Sequence, residues 1–76
     1  MKAFDPVENS PSPAVHSARI RRQLGELIDH LKADRDRVED PVFAALLEVS
    51  AEMLNGVRNV FAEYDEASGR KRNLSE

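Results

Sequence analysis

Large apolar residues between Pro41 and Ala67 fall in three parallel rows at heptad spacing. Leu47, Leu54 and Phe61 make one row, Phe43, Val57 and Tyr64 the next, and Leu46, Met53 and Val60 the third. Val42 and Val49 widen the stripe at its start. A helix that meets one neighbour needs about two such rows, so a third row calls for a second neighbour. Upstream, Ile20, Leu24, Leu27, Leu31 and Val38 form a narrower stripe with Ile28 on its flank, and Asp34 fills the missing step. This pattern predicts a second, less apolar helix.

The punctuation between these stripes sets the boundaries. Ser12-Pro13 offers an N-cap followed by proline at the first helical position, and Asp40-Pro41 repeats the device. Ser68-Gly69 reads as a C-terminal stop. The expected organisation is a disordered arm over 1–12, a helix over 13–38, a turn at 39–40, a helix over 41–67 and a disordered basic tail over 68–76. So short a turn forces the helices antiparallel, with side-by-side positions whose numbers add to about 79. On that register Leu24 and Leu27 meet Leu54 and the region of Ser50, and Ile20 approaches Val57 and Phe61. The fold class is therefore all-α: an antiparallel two-helix hairpin.

One hairpin does not satisfy its own apolar surface. Helix one ends in Lys32-Ala33-Asp34-Arg35-Asp36-Arg37, whereas the facing start of helix two reads Pro41-Val42-Phe43-Ala44-Ala45-Leu46-Leu47. Each large side chain left in water forfeits roughly 1.5–3 kcal/mol. Val42, Phe43, Leu46, Val49, Met53 and Val60 are therefore the expected contact surface. The hairpin is expected to self-associate as a dimeric four-helix bundle, or as a tetramer, and to work by binding another protein.

Composition narrows the chemistry. The 76 residues include no cysteine, which removes disulfides and thiolate metal sites. No apolar run opens the chain, so the expected location is the cytoplasm with no membrane contact. His16 and His30 are the only histidines, and neither a Gly-x-Ser-x-Gly elbow nor a phosphate-binding glycine loop occurs. No enzyme, catalytic residue or cofactor is expected. Carboxylate–histidine bundles place Glu-x-x-His inward, and this chain has none. In the pairs Glu26/His30 and Glu48/Glu52, each four apart, Glu48 and Glu52 point outward and Glu26 lies off the seam, while His30 flanks it with no inward carboxylate beside it, so no metal site is expected. Gly25 and Gly56 fall mid-helix at similar heights and read as tolerated surface glycines, with a close backbone approach or a partner's contact as the alternative.

Charge supports one alternative. The net charge is −3, and residues 40–67 hold six acids against the single Arg58. Arg19, Arg21 and Arg22 near the start of helix one lie at the same end as Arg70, Lys71 and Arg72 after helix two. A small dimeric RNA- or DNA-binding regulator would use these six cations on phosphates. Against it stands internal neutralisation, because Glu63, Asp65 and Glu66 lie at the end of helix two where the dipole disfavours acids. No aromatic residue interleaves the cations as a base-stacking surface needs.

Overall fold

The computed structural model describes residues 9–74, with side chains through Gly69. Two helices account for almost all of it: α1 over Pro13–Arg37 and α2 over Pro41–Leu74, packed side by side. Both starts follow the capping signals. The Ser12 hydroxyl accepts from the Val15 amide at 3.4 Å. Asp40 Oδ1 accepts from the Val42 amide at 2.9 Å and from the Phe43 amide at 3.5 Å, which satisfies two of the amides a helix start leaves orphaned. Ahead of α1, Ser10 presents its carbonyl to His16 Nε2 at 2.7 Å and its hydroxyl to the Ser12 amide at 3.1 Å. Of the arm expected over 1–12, residues 9–12 are therefore tied to the start of α1, and residues 1–8 lie outside the described residues.

The interior is small. Among the described residues, Ile28, Leu47 and Ala51 are the buried apolar side chains, and Ser17 is the buried polar one. The α1 seam is Ser17, Arg21, Leu24, Ile28, Leu31, Arg35 and Val38, which alternates steps of four and three. Sequence periodicity offered a second seam, Ile20-Leu24-Leu27-Leu31, one position away. Ile28 is 4 % exposed and Leu27 46 %, so the expected places of these two residues are exchanged. The polar members of the chosen seam explain the choice: α2 supplies Asp65 to Ser17 and Arg21, and Glu48 to Arg35.

Ile20 shares a groove with Val60 and Phe61, and Ile28 a shallow surface with Ala51, close to the expected sum of 79. Arg35 reaches Glu48 and Arg58 reaches Gly25 about a turn further along, because helical side chains lean toward their own N-terminus and arginines are long. Val38 closes α1 in extended backbone, with φ −74° and ψ 148°. Val42, in the first turn of α2, is 77 % exposed.

The far end of α2 extends the expected boundary. Gly69 takes no left-handed conformation, and the helix passes through it to Leu74 rather than stopping near Ala67. The following Arg70-Lys71-Arg72 run suits a helix C-terminus, where cations are favoured. A Cβ at Gly69 meets nothing within 4 Å. Gly69→Ala is therefore expected to stabilise this last stretch by about 0.5–1 kcal/mol, read as a gain in helical circular dichroism.

Candidate interaction face

α2 carries a strict heptad seam that α1 does not use. Phe43, Leu46, Ser50, Met53, Val57, Val60 and Tyr64 follow one another at alternating steps of three and four. The six large members are 45 to 67 % exposed. α1 instead covers the adjacent strip of Ala44, Leu47, Ala51 and Leu54, all buried or half-buried. Of the expected contact residues, Val42, Phe43, Leu46, Val49, Met53 and Val60 are all solvent-exposed in the single chain. Val57 and Tyr64 join them, and the same heptad count identifies both from sequence.

The two helices present this seam on one side of a layer whose Cα atoms span only 12 Å at its thinnest. Pro13, His16 and Ile20 of α1 share a groove with Val60, Phe61 and Tyr64 of α2. Leu27 lies two turns along α1 from Ile20, so it extends the same apolar face. The expected inward position of Leu27 is thus replaced by a place on the outer face. The reverse side is polar. One shallow surface there joins Ile28 to Lys32, Glu48, Glu52 and Asn55, and another joins Ala18, Arg21, Arg22, Gly25 and Arg58.

Ion pairs fasten the hairpin along its seam. Asp65 Oδ2 accepts from the Ser17 hydroxyl at 2.8 Å and from Arg21 at 2.9 Å. Arg21 thereby contributes the expected neutralisation at the acidic end of α2. Nearer the link, hydrogen bonds from Arg35 to Glu48 and then to Asp36 hold its guanidinium above the ordinary arginine range. The Arg21–Asp65 pair is part-exposed and screened, so its own contribution is at most about 1 kcal/mol. The Ser17 hydroxyl is buried and loses its acceptor if Asp65 goes. Asp65→Ala is expected to cost about 1–3 kcal/mol in urea unfolding, and Ser17→Ala/Asp65→Ala together less than the two single losses added.

The remaining candidates are dispersed. Arg22 is exposed on the polar side, beside Arg58, which lies across Gly25 at 3.3 Å from where a Cβ would sit. Arg19 lines a surface with Val15, Ala18 and Arg22. The side chains of Arg70, Lys71 and Arg72 lie outside those described. Glu26 and His30 are exposed, and no cluster of three metal-ligating side chains occurs among the described residues. No described helix is long and apolar enough to cross a membrane. No family model matches the chain, and no characterised protein or solved structure is significantly similar to it.

Proposed function

We propose that this chain is a non-enzymatic interaction protein that works as a self-associated helical bundle, with the apolar face as its contact surface. One observation carries the reading: a heptad seam from Phe43 to Tyr64, interrupted by Ser50 alone, presents six large apolar side chains on α2, each at least 45 % exposed. Covering it stabilises by roughly 1.5–3 kcal/mol per side chain. That gain is on the order of 10 kcal/mol per chain, similar to the whole stability of an ordinary domain. A hairpin with three buried apolar side chains needs such a contribution. The assembled bundle would then display its polar side outward and hold or present a further protein there.

The nucleic-acid reading has weaker support, because Arg21 is engaged by Asp65 and Arg22 stands on the side carrying Glu48 and Glu52. Light scattering behind a size-exclusion column tests the proposal. Two or four times the 8.5 kDa chain mass supports self-association. A folded, soluble monomer overturns it and directs the face to a different protein.

A further inference from the structure

Two hairpins can close their apolar faces about a two-fold axis in either of two ways. With the axis along the helices, α2 of one copy lies over α1 of the other and both links fall at the same end. With the axis across the helices, α2 lies over α2 and α1 over α1, all antiparallel, and the links fall at opposite ends. We infer the second arrangement, with the axis passing near Asn55; the inference rests on the self-association proposed above.

The lengths of the two apolar strips decide between them. The α2 strip runs from Phe43 to Tyr64, whereas the α1 strip is confined to Ile20, Leu24, Leu27 and Leu31. In the first arrangement the Val42–Leu47 segment lies over the polar Lys32–Arg37 segment of the second copy. In the second arrangement each strip meets one of its own length. Both strips are also centred at nearly the same height: on the sum of 79, the midpoint of Ile20–Leu31 lies level with Met53 and Leu54, the midpoint of Phe43–Tyr64.

Side-chain sizes agree. An antiparallel seam layers alternate heptad positions against each other, and centring it on Asn55 pairs Phe43 with Ala67 of the second copy. Leu46 then meets Tyr64, Ser50 meets Val60, and Met53 meets Val57. Large faces small in two of these four layers, Phe43 with Ala67 and Val60 with Ser50, as close packing favours. Gly56 flanks the axis, and a Cβ there meets nothing within the chain. Two such glycines let the α2 backbones approach closely where they cross. The arrangement also separates the two acidic ends formed by Glu63, Asp65 and Glu66.

The chain has no cysteine, so Glu39→Cys, in the exposed link and away from the face, accepts a single spin label. Electron–electron dipolar spectroscopy is read beside the solution mass. A dimer with labels roughly 45 Å apart supports the crossed axis. A dimer with labels within about 25 Å overturns it and leaves self-association standing. A monomer with no intermolecular coupling overturns both.

Discussion

Met53→Glu is expected to reduce the solution mass to that of one chain and to abolish cooperative unfolding at micromolar concentration. In the isolated hairpin the substitution is benign: position 53 is two-thirds exposed and glutamate is a good helix former. In the bundle the same carboxylate enters the middle of a dry seam, and symmetry places it there twice. Each copy loses about 1.5–3 kcal/mol of methionine burial. Each also leaves a carboxylate buried without a partner, at a cost of about 3–5 kcal/mol. Together these come to roughly 9–16 kcal/mol per dimer, more than six decades in dissociation constant. Asn55→Glu, exposed on the polar side, is the control and should leave the mass unchanged. A Met53→Glu protein that keeps the parent mass and melting curve would remove the face from the interface.

Ile28→Ala is expected to have the second-largest effect, by a different route. Ile28 is the most buried large side chain and packs where Ala51 brings α2 close. Truncation of such a residue costs about 2–5 kcal/mol through lost burial and the cavity left behind. With only Leu47 and Ala51 buried beside it, the neighbours have little bulk with which to fill the space. Leu27→Ala, one position along, should cost the hairpin far less and weaken association instead. The midpoint of urea unfolding at several protein concentrations separates the two: Ile28→Ala lowers it throughout, whereas Leu27→Ala mainly steepens its dependence on concentration. Equal effects from both would mean that the α1 seam is wrongly placed.

These two residues also mark where sequence reading stopped. The caps at Ser12 and Asp40, the antiparallel pairing and the surplus apolar width of α2 were legible, because each rests on local spacing or on a single residue's chemistry. The phase of α1 was not. Leu24 and Leu31 belong equally to the row through Leu27 and the row through Ile28, and periodicity weighs them alike. The decision falls to partners far along the chain, Asp65 and Glu48, which a one-dimensional pattern does not place. The end of α2 was misplaced because a glycine was read as a stop, whereas Gly69 stops a helix only if it turns left-handed. As for the candidate site, the heptad arithmetic found the α2 strip, but the outward turn of Leu27, which completes the face, follows only from the observed seam.

The smallness of the hairpin's interior bears on how such a protein lives in a cell. If the chain self-associates as proposed, a hairpin with three buried apolar side chains among its described residues has little folding free energy independent of its own abundance. Dilution would then act on it as a denaturant. At low expression most copies would sit in the unpaired, protease-accessible state. Above a threshold set by the dissociation constant, newly made chains would find partners and persist. Dosage and lifetime would be coupled through one surface, and the steady-state level would respond more than proportionally to synthesis.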